Sequence, residues 1–532
     1  MKKIFLSILA AACMATSCNE DLLNTSPTTA VSGDTLLETT EGGLMALNGS
    51  IRWFWQWGMS VTGNAHQVIG PQGYALMGDL MGEDMVMAGP GNGWFWYDYL
   101  YDVKDGYTSG AWRSYDCWNF YYTLICQVNY IINAKDTMTG PKEDVDYIVG
   151  NAYAFRAYAY HYLEMIFARS YIGHENMLGV PVYTEPTTSK TTGKARSTNK
   201  EVYTQITSDL STAITLLEGK NRKHCSHIDY YVANGILARV ALYMGDWETA
   251  YTAAENATKG SKALTKDVKY GYNNANATDV LWGAEIIRDQ GTTNPQFLAH
   301  MDIAFDGYGE DARKCCSEWL YNKITVGDSR QGWWNYEDLN SGGYTKKGYQ
   351  QYKFRFVDAS DPYVGADHIF MRVPEMYLTM AEAKCRLSDF SSAQTILNDF
   401  MNGYRMGEGF SYSCSDKTGN ELGALTTDET GSLLEEIILQ RRIELWGEFG
   451  RIFDIKRLRQ GFVRTVEMGH PAQALCATLK LSDPESFDWV LTIPQAELDA
   501  NDLMVQNPMG SEATATNGDD PALSTAVTEP AE

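Results

Sequence analysis

Chemistry in this chain is most legible where rings and polar groups alternate. The stretch GNGWFWYD places Trp94, Trp96 and Tyr97 between Asn92 and Asp98, and the glycines at 89, 91 and 93 keep the backbone irregular and exposed. A sugar presents an apolar C–H face that stacks on such rings, while flanking amides and carboxylates bond its hydroxyls. Gly332–Tyr336 (GWWNY) forms a second cluster, with Trp319 and Tyr321 shortly before it. Candidate ligand contacts are therefore Asn92, Trp94, Trp96, Tyr97 and Asp98, with Trp319, Trp333 and Trp334 as a further wall. Tyr and Trp together, 33 and 14, outnumber the 18 Phe, so rings with a polar handle dominate, as on recognition surfaces. Trp53–Trp57 and Trp112–Trp118 recur at helical spacing and are read as core packing.

Hydrolytic chemistry has one candidate pair. Glu444 and Glu448 lie one helical turn apart, ~5–6 Å, close to the separation in a retaining glycosidase. Arg441, Arg442, Arg451 and Arg457 stand at three-and-four offsets around them and Asp454, which would keep the acids ionised. A general acid needs the opposite shift, so structural ion pairing is the expectation. Serine-hydrolase, HExxH, P-loop and dinucleotide signatures are absent. No C-x-x-C or Cys/His zinc spacing occurs, and His66, His161 and the His224/His227 pair have no partner spacing that suggests a metal. The sequence calls for no cofactor and no catalytic residue.

The elements that must hold these residues are mainly helices. AYAFRAYAYHYLEMIFA, VYTQITSDLSTAITLL, YYVANGILARVALYM, WETAYTAAENATKG, MYLTMAEAKCRLS, SSAQTILNDFMN and LLEEIILQRRIELWGEF all space apolar residues by three and four. Strand signals are short and scarce, as at Val280–Ile287. Two segments repeat one pattern, a helix end followed by Asp-aromatic-x-x-Ala: Asp246-Trp247 with Ala250, and Asp389-Phe390 with Ala393. The aspartate can cap the second helix, the aromatic fills the elbow and the alanine permits close packing. This resembles tetratricopeptide hairpins, although the repeats stand about 140 residues apart.

Lys plus Arg is 43 against 67 Asp plus Glu, a net charge of −24, which argues against nucleic acid and against an anionic membrane surface as partners. With 532 residues and 44% hydrophobic content the chain can bury a large core. Its ten cysteines read chiefly as buried free thiols. Cys117 and Cys126 are too far apart in one helix to bridge, Cys315 and Cys316 are adjacent, and a Cys414–Cys476 bridge has no support.

The N-terminus, MKKIFLSILAAACMATSCNED, has two lysines, a short apolar run and small residues before Cys18. It resembles a bacterial lipoprotein signal, with residues 1–17 removed and Cys18 acylated. Ala15 and Ser17 stand where such signals usually have Leu and Gly or Ala, and Cys13 after Ala10–Ala12 is a second place for the cut. Residues 18–35 then read as a tether and 509–532, Ala/Thr/acid-rich, as a disordered tail.

The order of motifs between these ends resembles the SusD/RagB family of outer-membrane nutrient-binding lipoproteins. The matching stretches are Cys18-Asn-Glu-Asp-Leu-Leu, the Arg156–Tyr158 helix, GVPVYTEP at Gly179–Pro186, Ala195–Ile214, ARVALYMGDW, Met371–Ala383, Gln440–Leu458, and Leu491–Leu498 with Gln506–Pro508. Pro374 departs from the family pattern and places a helix start near itself. The resemblance implies a mostly α-helical SusD-like domain over 36–508, its N-terminal part about 36–280 and its C-terminal part about 281–508. Tetratricopeptide-like pairs would be the scaffold and long aromatic loops the insertions. It further implies a non-enzymatic binding protein that captures oligosaccharide and delivers it to a SusC-like TonB-dependent transporter. The lipid anchor would hold it in the outer membrane, and Glu20 and Asp21 resemble a signal for the cell's outer face. A RagB-like peptide binder is the alternative, and a glycoside hydrolase a more distant one.

Overall fold

The computed structural model describes residues 33–58, 64–102, 108–339 and 346–508; the leader, Cys18, the tether up to residue 32 and the tail 509–532 lie outside the described residues. Helices dominate. Besides the short turns Gly33–Leu36 and Glu318–Asn322, in chain order they are α1 (Thr40–Trp55), α2 (Pro71–Met81), α3 (Trp96–Leu100), α4 (Trp112–Asn133), α5 (Lys142–Phe167), α6 (Asn199–Leu217), α7 (Tyr230–Met244) and α8 (Trp247–Ala257). There follow α9 (Phe297–Met301), α10 (Tyr308–Asp311), α11 (Val373–Arg386), α12 (Phe390–Tyr404), α13 (Leu433–Glu444), α14 (Arg451–Leu458) and α15 (Gln495–Ala500).

Local sequence explains where several of them begin. Thr198 and Glu201 form a reciprocal capping box on α6, Asp229 accepts from Val232 N on α7, and Pro374 sits in the first turn of α11. Both hairpin elbows have the expected cap, Asp246 accepting from Thr249 N and Asp389 from Ser392 N, each at 3.2 Å. The residue before each cap, Gly245 or Ser388, takes a left-handed backbone conformation that ends the preceding helix. The sequence separation of the two hairpins vanishes in space, because α8 packs on α11. Trp247 lies half-buried at that junction, in a cluster with Leu242, Ala250 and Ala383, and the Arg386 guanidinium sits 5.1 Å from its ring centre.

The main core runs under α1, α4, α5 and α7. At its centre Phe54 stacks on Trp282 at 5.3 Å and meets Phe155, Tyr158 and Phe370 edge-on. Trp282 arrives on β2 (Val280–Ala284), antiparallel to β6 (His368–Arg372), which leads directly into α11.

A second sheet was not expected from the sequence. β1 (Met85–Met87), β3 (Lys314–Cys316), β4 (Trp334–Asp338) and β5 (Lys347–Gln351) form an antiparallel sheet in the order β1-β3-β5-β4. β1 and β3 have three residues each and are buried on both faces, so they lack the alternation that marks a half-exposed strand. All eight cysteines among the described residues are free; Cys414 belongs to the cluster beneath α12, whereas Cys476 lies against Leu100 and Arg464.

The acidic and basic residues of α13 and α14 do form ion pairs: Asp454 keeps the neighbours expected from the sequence, whereas Glu444 and Glu448 take partners from other segments. Glu444 is bound by Arg330, Arg372 and Arg405 at 3.1, 3.0 and 2.8 Å, all on other segments. Glu448 is bound by Arg372 and Lys353 at 2.6 and 2.5 Å. Arg441 and Arg457 hold Asp454, while Arg442 and Arg451 reach Glu83 and Asp84 after α2. Burial alone would raise the Glu444 carboxyl, but Arg405 and Arg372 outweigh it and hold the group well below the usual range. Such an acid is locked as a carboxylate and cannot donate a proton at neutral pH.

Candidate ligand-binding site

The Trp94 loop is fixed from beneath by one arginine. Arg113, in the first turn of α4, bonds Asp98 through Nε and Nη2 at 3.0 and 2.7 Å and is fully buried. Phe95 sits at φ 62°, a left-handed conformation unusual for a bulky residue. Its N–H donates to Gln67 Oε1 at 2.6 Å, and its ring meets the His300 ring edge-on at 5.0 Å. Gly91, at φ 49°, lets the loop press against the end of α10, where a Cβ would lie 2.8 Å from the Ala312 methyl and 2.9 Å from the Asp311 carbonyl oxygen. Backbone strain held by surrounding bonds in this way marks a preformed surface.

On this base the rings assemble. Trp94 stacks on His66 at 5.0 Å and 12°, and Tyr308 stands edge-on to both, at 6.0 and 5.8 Å. The Tyr308 hydroxyl pairs with His66 Nδ1 at 2.5 Å. Beneath Tyr308 the His300 ring stacks at 4.9 Å, and its Nε2–H donates to the His66 carbonyl at 2.7 Å. Burial holds the His300 imidazole well below its ordinary value, so it is neutral and fixed in that tautomer. Trp94 is half-buried, Asn92 is exposed and Tyr97 is 40% exposed.

The other residues expected at the site have different places. Asp98 is saturated by Arg113 and positions the loop instead of facing a ligand. Trp96, 8% exposed, turns toward Tyr99 at 5.7 Å. Trp333 and Trp334 are each 1% exposed, so neither forms a far wall of an open site. Trp333 donates from Nε1 to the Val268 carbonyl and covers Lys353 at 4.4 Å; Trp334 packs edge-on against Trp446 at 5.6 Å. Trp333 ends the 3-10 turn Ser329–Trp333 and Trp334 opens β4, and both rings are closed into the core. Trp319 is gripped between Arg442 and Lys323, at 4.4 and 5.3 Å, away from Trp94. His66 and Tyr308 were missed because they come from segments about 240 residues apart; only an aromatic census of loops could have suggested them.

A cavity lies elsewhere among the described residues. About 600 Å³ opens along α4, lined by Tyr115, Trp118, Tyr122 and Tyr130, with Tyr183 and Asn501 opposite. These positions share one helical face, and of them Tyr115 and Trp118 fall in the Trp112–Trp118 run read from sequence as core packing. The Trp94 loop has a left-handed Phe95 pinned by surrounding bonds, whereas the groove runs between a regular helix and the segments of Tyr183 and Asn501.

The SusD family model matches residues 228–509, and a second family model, described as starch-binding associating with outer membrane, matches 81–242. The chain belongs to the SusD family. Among solved structures, a SusD-like carbohydrate binding protein from Bacteroides vulgatus is 24% identical over 88% of this chain and 97% of its own, with a TM-score of 0.72. A SusD superfamily protein from Bacteroides thetaiotaomicron is 23% identical over 88% and 100%, TM-score 0.73. Surface glycan-binding protein A from Bacteroides uniformis is 17% identical over 88% and 99%, TM-score 0.65. No curated protein matches the chain. Among the described residues no helix is long and apolar enough to cross a membrane.

Proposed function

We propose that this protein is a cell-surface lipoprotein, anchored through Cys18 after removal of residues 1–17, that binds an oligosaccharide and passes it to a SusC-like TonB-dependent transporter. The observation that carries the reading is the Trp94–His66–Tyr308 ring assembly on a pinned, strained loop in a SusD-family chain. Trp94 and Tyr97 supply stacking faces and Asn92 supplies hydroxyl bonding. A protein that must release its cargo is served by a few stacked rings on a surface that needs no rearrangement.

The test is a glycan array on the soluble form lacking residues 1–18, followed by calorimetry on the best neutral oligosaccharide. Trp94→Ala and Tyr97→Ala should each weaken binding by about tenfold to a hundredfold, ~1–3 kcal/mol, with an unchanged fold. Full affinity in both variants, with loss in Trp118→Ala, would move the site to the α4 groove. Binding of short peptides and of no glycan would make the protein a RagB-like peptide binder.

Anchoring has its own check. Cys18→Ala should leave the protein unprocessed or free of the membrane fraction, because the acyl chains need the thiol. A lipid-free mature N-terminus in mass spectrometry of the native protein, or acylation at Cys13, would contradict it.

A further inference from the structure

The fold brings together three metal-binding donor types that are scattered in sequence. His224 and Cys225 lie in the loop before α7, and Glu285 follows the last residue of β2. One ligating atom from each lies within 4.8 Å of the others. Cys225 Sγ stands 3.8 Å from His224 Nδ1, close to the about 3.6 Å edge between a thiolate sulfur and an imidazole nitrogen on a tetrahedral zinc ion. His224 and Glu285 are exposed and Cys225 is half-buried, so solvent reaches the group.

Its frame is rigid for a loop. Trp282 Nε1 donates to the Ser226 carbonyl at 3.0 Å, Ile228 N to Asn151 Oδ1 at 2.7 Å, and Arg222 to the Leu281 carbonyl at 2.8 Å. His227 Nδ1 pairs with the Tyr147 hydroxyl at 2.9 Å. On the other side Asp367 accepts from Ile286 N at 2.9 Å and so fixes the residue after Glu285. The Glu285 backbone N–H also bonds the Cys225 sulfur. Arg222, in the same loop, also has Asp229 as a partner at 3.4 Å.

We propose that His224, Cys225 and Glu285 form a binding site for a borderline-soft divalent cation, zinc in the first instance. A thiolate and an imidazole select against calcium and magnesium, which take oxygen ligands. Binding would release the Cys225 thiol proton to solvent and displace the bonds that Ser226 now makes to Nδ1. A neutral imidazole, a thiolate and a carboxylate then balance the two positive charges, and a water completes four-coordination. The ion would tie the loop before the first helical hairpin to the end of β2, whose partner β6 opens the second.

The untagged full-length chain is stripped with EDTA and titrated with zinc chloride by calorimetry, and separately with cobalt(II) followed by absorption. One zinc per chain is expected, with a higher thermal midpoint in its presence. The cobalt complex should show a thiolate charge-transfer band in the near ultraviolet. Cys225→Ser should abolish that band, and Cys225→Ser, His224→Ala and Glu285→Gln should each weaken zinc binding at least tenfold. Their metal-free circular dichroism and thermal midpoints should match the parent, which separates lost ligation from lost fold. Undiminished zinc binding in Cys225→Ser and Glu285→Gln would overturn the proposal, as would no saturable binding by the parent.

Discussion

At the scale of single residues, exposure decides what a tryptophan does. Trp94 and Trp334 have the same side chain and similar flanking sequence, yet one is half-buried on a loop and the other is closed into the core against Trp446. Their alanine variants should therefore fail in different ways. Trp334→Ala should cost ~3–5 kcal/mol of stability by opening a cavity, while glycan affinity measured below the melting transition stays within about twofold. Urea denaturation beside calorimetry makes the comparison. A stable Trp334→Ala protein that had lost glycan binding would return that ring to the site. Glu444 illustrates the same lesson for a charge: its apparent partners one turn away bind other acids, and three arginines from distant segments bind it.

At the scale of elements, the Asp-aromatic-x-x-Ala elbow predicted both the cap and the close helix approach. The aromatic is less enclosed than a fully buried elbow residue, because Trp247 keeps part of its ring in solvent while packing on Leu242, Ala383 and Arg386. Trp247→Ala should cost ~1.5–3 kcal/mol, about half the price of a fully buried tryptophan. A fall in the denaturation midpoint with no change in its slope would support this; an unchanged midpoint would show that the α8–α11 contact does not depend on the ring.

At the scale of the whole molecule, many buried carboxylates face arginines, and their pH response has a definite sign. Burial would raise Glu83, yet Arg451 and Arg442 bring it down to about 2. Glu444, Glu448 and Asp454 are lowered in the same way, each against burial, by the cations beside them. A group whose pKa falls on folding contributes stability above its unfolded value, about 4.3, and loses it as the pH drops through the folded value. Glu164 and Asp116 act in the opposite sense: burial pushes them up to about 8 and about 7, so their contribution declines as the pH rises toward those values. The thermal midpoint should therefore fall steeply between about pH 5 and pH 2, and Glu83→Gln should flatten that limb. A midpoint independent of pH in this range would mean that the pairs do not persist in solution.

Helix periods, caps and the paired elbows were legible in the sequence because they depend on neighbours three and four residues away. The acidic balance and the Trp94 loop were legible for the same reason, since composition and glycine spacing are local facts. The three-residue strands were hidden, because burial on both faces removes the alternation that announces a strand. Exposure was hidden as well, so Trp94 and Trp334 looked equivalent until packing separated them. The meeting of His66 with Tyr308, of Glu444 with Arg330, Arg372 and Arg405, and of His224 with Glu285 required the chain to close over long separations. Such contacts form only after many other residues have been ordered, so no local pattern records them, and the tertiary structure alone decided them.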